Sequence, residues 1–132
     1  MFMIIGKADD KPVSFERLPL AAREFIRTNF PQAKMLYASV DDDFIRPDYE
    51  VMLDNGIRLQ FENNGSLDKI ETGRGDIPPT LIPVKIREYV ETNYPDATYR
   101  EYEVGKRNYE VKLSNGLELK FDSSFRIVEI DD

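Results

Sequence analysis

The sequence contains no cysteine and no histidine. Without imidazole or thiol, the chain has no ordinary proton shuttle near neutral pH, no thiolate nucleophile, no serine-histidine triad and no zinc site of the usual kind. Most hydrolase mechanisms are excluded with them. No apolar run approaches the roughly 20 residues that a membrane-spanning helix needs, so no membrane span is expected. Basic charge is also scarce: 18 Lys and Arg against 25 Asp and Glu leave a net charge of −7. The cations are dispersed among acids, which works against a phosphate-tracking face and against nucleic acid as a partner. Absence of cysteine does not fix a compartment, because exported proteins also fold without disulfides.

What is present is ordinary for a globular chain, with 41% hydrophobic, 11% aromatic and 33% charged residues in 132. That length allows one domain, or two half-size units that share a core. Residues 1–14 read as an N-terminal tail. Within it, "MFMIIGKADDKP" is open to two readings, a clipped export signal ending near Ala8 or a native N-terminal strand or ragged tail.

The chain then repeats itself. "LPLAAREFIRTNFPQA" at 18–33 aligns with "IPVKIREYVETNYPDA" at 82–97 at an offset of 64, and "YEVMLDNGIRLQF" at 49–61 with "YEVKLSNGLELKF" at 109–121 at an offset of 60. Two copies predict a pseudo-symmetric arrangement rather than a solenoid. Pro19 and Pro83 suit a first helical position, and Pro31 and Pro95 forbid continuation. Between them Ala22, Phe25, Ile26 and Asn29, and Ile86, Tyr89, Val90 and Asn93, recur at helical spacing and give each helix one apolar stripe.

The hairpins alternate apolar and polar residues, and this alternation selects the loop. A two-residue turn would set Leu53 opposite Arg58 and mix the faces. A three-residue turn sets Leu53 opposite Ile57, Val51 opposite Leu59 and Tyr49 opposite Phe61, with Gly56 left-handed. The same register in the second copy faces Lys112 to Glu118 and Glu110 to Lys120, as a solvated face prefers. Tyr109, Val111, Leu113, Leu117, Leu119 and Phe121 should then face the helices. A strand precedes each hairpin, near 34–40 and 98–104, and one follows, where Leu67 and Ile70 match Ile127 and Ile130.

The expected fold is therefore α+β, with two tandem repeats of a helix plus four antiparallel strands, forming one extended sheet with both helices on one face. The first repeat spans 15–72, the linker 73–80 and the second repeat 81–132.

These residues, "TNFPQA" and "TNYPDA" followed by the two hairpins, resemble the PepSY-like proteins of bacterial envelopes, whose paired repeats are similar in fold to the beta-lactamase inhibitory protein. The resemblance covers roughly 15–132 and implies a periplasmic or exported, noncatalytic protein-binding module. By that analogy the partner is an envelope or secreted enzyme such as a peptidase, which the module would inhibit. A small-ligand or calcium-binding periplasmic sensor is the alternative. No cofactor is implied, and none of the lactamase inhibitors' contact residues can be matched to positions in this chain.

Several clusters carry two readings. Asp41, Asp42, Asp43 and Asp48 offer oxygen ligands for a hard cation but lack EF-hand spacing, and a solvated loop explains them, so no metal site is assigned. Arg74-Gly75-Asp76 spells an adhesion tripeptide within a Gly-rich connector, and Asn64-Gly65-Ser66 serves as a turn. Met52 and Arg58 stand at outward positions where the second hairpin has Lys112 and Glu118, and Tyr37, Phe44, Tyr99 and Tyr102 lie in nearby segments. Aromatics, Met and Arg are enriched at interfaces. These six are the candidate partner-binding residues, against the plainer reading of ordinary surface or core.

Overall fold

Prolines bracket both helices. The computed structural model describes residues 10–41 and 47–132. In it α1 (Leu20–Asn29) and α2 (Val84–Asn93) each begin one residue after a proline. Pro19 and Pro83 thus stand one position earlier than expected, extended at φ −55 and −54, and their carbonyls accept the first helical bonds from Arg23 and Arg87. Neither cap has a side-chain acceptor. Instead the Arg23 and Arg87 Nε groups each reach back 3.0 Å to the carbonyls of Leu18 and Ile82. At the other end Asn29 and Asn93 donate to the carbonyls of Phe25 and Tyr89, each at 2.9 Å.

The strands are β1 (Asp10–Pro12), β2 (Met35–Asp41), β3 (Asp48–Leu53), β4 (Ile57–Phe61), β5 (Leu67–Thr72), β6 (Tyr99–Val104), β7 (Asn108–Leu113), β8 (Glu118–Asp122) and β9 (Ile127–Asp131). Short 3₁₀ turns at Phe15–Arg17 and Pro79–Leu81 lead into the helices. The fold is α+β and its strand pairings are antiparallel. The chain divides into two compact units, one ending at Asp68 and the other running Lys69–Asp132, a boundary that falls inside β5.

The first unit orders its strands β1-β2-β3-β4, and the second pairs β5 with β6 and continues to β9. Four strands per repeat is therefore not how the units divide. β5 follows the first hairpin in sequence, and its Lys69, Ile70 and Glu71 pair with Glu103, Tyr102 and Glu101 of β6, as the expected extended sheet requires. The sequence reading also lacked β1 as a defined strand, where Asp10–Pro12 pairs with Ser39–Asp41.

Both hairpins close as the alternation requires. Tyr49 faces Phe61, Val51 faces Leu59, Lys112 faces Glu118 and Glu110 faces Lys120. Gly56 and Gly116 sit at φ 89 and 92, a left-handed region costly for side-chain-bearing residues. The Asn55 and Asn115 side chains each accept a backbone N–H two residues on, from Ile57 and Leu117, at 3.0 Å. In the first unit Ala22 and Ile26 of α1 and Val51, Leu53, Ile57, Leu59 and Phe61 of the hairpin are buried, and Phe25 meets Phe61 edge-on at 5.8 Å. The second unit repeats this with Ile86, Val90, Val111, Leu113, Leu119 and Phe121, and Tyr89 on Phe121 at 5.5 Å. Each fully buried side chain contributes about 1.5–3 kcal/mol.

The copies part company after the hairpins. Ile70 is fully buried, whereas Ile130 is 50% exposed, because β9 has β8 as its strand neighbour and none beyond it among the described residues. The turn after β4 places Gly65 at φ 88, and the turn after β8 places Phe125 at φ 65. A Cβ at Gly65 would meet Pro19 Cβ, Ala21 Cβ and Ala22 N, all at 3.0 Å. Phe125 instead stacks on Tyr109, with centroids 4.7 Å apart and planes at 20°.

This contrast predicts a ranking. Gly116→Ala meets no atom within 4 Å and should cost about 1 kcal/mol from backbone strain alone. Gly65→Ala adds a clash against backbone and should cost about 2–4 kcal/mol. Urea denaturation of both variants checks this, and equal losses would show that the contact at Gly65 relaxes freely.

Candidate functional site

Strand alternation sends Glu50 and Met52 of β3 to the face away from α1, because Val51 and Leu53 take the core. Register then assembles a row across three strands. Tyr37 is opposite Met52, Met52 is opposite Arg58, and Ser39 is opposite Glu50. The Tyr37 hydroxyl donates to Glu50 Oε2 at 3.1 Å, and Arg58 Nε stands 3.4 Å from the same oxygen. Tyr37, Met52 and Arg58 are all half-buried. Burial, then the Glu50 charge and the hydrogen bond to it, push the Tyr37 phenol from 10.0 up to about 12, with Arg58 opposing. The phenol therefore stays protonated and acts as a donor to Glu50.

Glu50 also faces a cavity of about 270 Å³ in the same unit, whose lining includes Asp10, Asp41, Asp48 and Asp68 together with Ser39, Tyr49 and Gln60. Among the described residues no three acids are gathered so as to hold a metal ion.

Of the six residues singled out from sequence, the structure brings Tyr37, Met52 and Arg58 together. Phe44 lies outside the described residues, as do Asp42 and Asp43. Tyr99 and Tyr102 are core side chains of the second unit, 4% and 5% exposed, opposite Leu113 and Val111. Burial raises both phenols, with Glu91 adding to the effect at Tyr99 and Tyr109 at Tyr102, which reaches about 12. The groups whose acidity the fold clearly shifts move away from neutrality, since Asp122 goes down through backbone hydrogen bonds from Arg126 and Ser124.

Sequence reasoning passed over Glu50, the hub of the row. Its signal was available once register was assigned, because the carboxylate falls on the outward face with Tyr37 and Arg58. The adhesion-like tripeptide is otherwise employed: Asp76 accepts from Thr98 Oγ1 at 2.7 Å and lies 3.6 Å from Arg100 Nε. Asn64 serves its turn, accepting from Ser66 N at 2.8 Å.

A family model described as "Putative beta-lactamase-inhibitor-like, PepSY-like" matches residues 5–69 and again 47–129. The chain belongs to the PepSY-like family. No curated protein matches it. Among solved structures, this PepSY-like chain is similar to a "putative periplasmic protein" of Bacteroides vulgatus, with 40% identity and a TM-score of 0.90, covering 96% of this chain and 100% of that one. It is also similar to a "putative calcium-regulated periplasmic protein" of Bacteroides thetaiotaomicron, with 39% identity and TM-score 0.91 over 96% and 100% of the two chains. A second B. vulgatus periplasmic protein, of unknown function, shares 34% identity at TM-score 0.87 over 93% and 99%. The PepSY-like chain is periplasmic, as its solved relatives are described to be.

The chain has seven tyrosines and no tryptophan, so phenolate absorbance can be followed cleanly. Above pH 10 the unfolded chain loses phenolic protons that folded Tyr37 and Tyr102 hold up to about 12. Their contribution to stability is complete below pH 10 and is lost as pH rises toward 12. Tyr37→Phe should remove one late-titrating phenol and make that alkaline loss shallower. Loss of a phenol titrating near pH 10, with the late-titrating ones intact, would show that burial and Glu50 do not hold the Tyr37 proton.

Proposed function

We propose that this protein is a noncatalytic binding module of the periplasm, whose outer sheet face in the first unit docks a protein partner. The observation that carries the reading is the row Tyr37, Glu50, Met52 and Arg58. Hydrogen bonding and ion pairing already fix an aromatic, an acid and an arginine around a flexible methionine. Such a row loses little side-chain freedom on docking and presents the residue types that dominate interface energetics. The second unit has the pairs Lys112–Glu118 and Glu110–Lys120 at the matching positions, a face better satisfied by water. The family description favours a secreted enzyme as partner, held stoichiometrically rather than turned over.

The test is affinity capture from periplasmic extract, followed by reconstitution with the captured protein, for the parent chain and for the double variant Met52→Glu, Arg58→Glu. A one-to-one complex weakened about 100-fold in the variant, roughly 2.7 kcal/mol, is expected. Equal affinity for both chains, at equal thermal midpoints, would remove this face from the interface.

A cation-responsive role is the second reading, favoured by the four aspartates and Glu50 around one cavity and by a relative described as calcium-regulated. It is second because the described acids are not gathered for a metal. Under it, calcium at about 100 times its dissociation constant would stabilise the fold by about 2.7 kcal/mol, and Asp48→Asn would abolish the rise in melting temperature. An unchanged melting temperature with calcium sets this reading aside.

A further inference from the structure

The two copies differ at a place where their backbones otherwise agree. Each has a 3₁₀ turn before its helix and a bulge at the start of the following strand, between Met35 and Tyr37 in β2 and between Tyr99 and Glu101 in β6. In the second unit the chain ahead of the 3₁₀ turn lies against that bulge. Ile77 is fully buried and its N–H donates to the Tyr99 carbonyl at 2.9 Å, while Asp76 is held by Thr98 and Arg100. Asp76–Ile77 is a plug.

At the offset of 64, Ile77 corresponds to Val13, and Thr98, Tyr99 and Arg100 correspond to Lys34, Met35 and Leu36. Val13 does not fill the matching place. Its N–H donates to the Ala38 carbonyl at 3.0 Å, three residues further along β2, and β1 continues away from the bulge along Ser39–Asp41. Leu36 is 65% exposed, the highest value of any large hydrophobic among the described residues. Met35, its neighbour in the chain, helps line a groove of about 520 Å³ together with Phe15, Ile26 and Phe30, with Arg27 and Lys34 as its cations and Glu16 as its acid. Arg27 is fixed over the Phe15 ring at 5.0 Å.

We propose that this groove docks an extended segment of a partner protein in which a carboxylate precedes a β-branched aliphatic residue, the chemistry that Asp76–Ile77 supplies within the second unit. The aliphatic side chain enters beside Met35, and the carboxylate meets Lys34, which stands where Thr98 holds Asp76. Two cations against one acid make the groove net positive on a chain of net charge −7, which favours an acidic segment there. A second copy of this chain is a poor source of the segment, because its own Asp76–Ile77 is already engaged. The mode of recognition is strand-edge docking, in which backbone bonds give affinity and one pocket gives selectivity.

The groove involves none of the outer-face residues, so the two proposals fail separately. The probe is a fluorescein-labelled peptide Gly-Arg-Gly-Asp-Ile-Pro-Pro, identical to residues 73–79, titrated into the whole chain by anisotropy and by amide chemical shifts. Saturable one-to-one binding is expected, with shifts at Phe15 and residues 33–37. Lys34→Glu and Leu36→Asp, both at exposed positions, should each weaken it about tenfold or more at unchanged melting temperature, as should Lys in place of Asp in the peptide. The proposal is overturned by no saturation up to about 5 mM, an affinity barely worth 3 kcal/mol, or by binding indifferent to these changes. Shifts falling on β6 would mean the peptide had displaced the internal plug, and a dimer abolished by Leu36→Asp would assign the groove to a second copy. Either result also overturns it.

Discussion

A glycine held near φ 90 at the end of a three-residue loop determines the rest of each unit. Gly56 and Gly116 adopt that conformation and the adjoining asparagine side chains brace it. Because strand side chains alternate with period two, a slip of one residue would carry every core residue to water. With the loop fixed, Val51, Leu53, Leu59 and Phe61 must meet α1. Glu50, Met52 and Arg58 must then share the opposite face with Tyr37. The row of Tyr37, Glu50, Met52 and Arg58 is thus a by-product of core formation, positioned by the same turn that packs the hydrophobic side.

The two units use equal backbones to present unequal surfaces. In the second, facing strands pair Lys112 with Glu118 and Lys120 with Glu110, an arrangement that solvent satisfies and that gives a partner little reason to displace water. In the first, Met52 faces Arg58, and Glu50 gathers Tyr37 and Arg58 on one oxygen. Tying down two long polar side chains before any partner arrives lowers the entropic cost of association. Divergence of the outward positions leaves one unit with a charge-paired face and the other with the row on which the proposed contact rests.

The helices, their proline boundaries and the hairpin registers were legible in the sequence because each is decided by residues close together in the chain. The periodicity of Ala22, Phe25 and Ile26 and the alternation around Gly56 needed no distant partner to interpret. What escaped was non-local. Asp10–Pro12 shows no alternation long enough to mark it as a strand, and only its pairing with Ser39–Asp41 defines it. Tyr99 and Tyr102 were candidate contact residues with core as the plainer reading, and the bulge at the start of β6 places both in the core. Glu50 was one acid among 25, and it stands out once β2 is laid beside β3.

Gly65 and Phe125 occupy the same left-handed corner in the two copies, and their surroundings differ. At Gly65 a Cβ would stand 3.0 Å from Pro19, Ala21 and Ala22 at the helix entrance, so a substitution there requires that entrance to give by a few tenths of an ångström. At Phe125 the corner is open enough for an aromatic ring to lie on Tyr109, and stacking worth about 0.5–1.5 kcal/mol offsets a backbone penalty of about 1–2. The same geometric position is therefore crowded in one half of the protein and open in the other. Drift between the duplicates is steered by local crowding, and the second copy's corner is where new side chains can be tried without disturbing a helix.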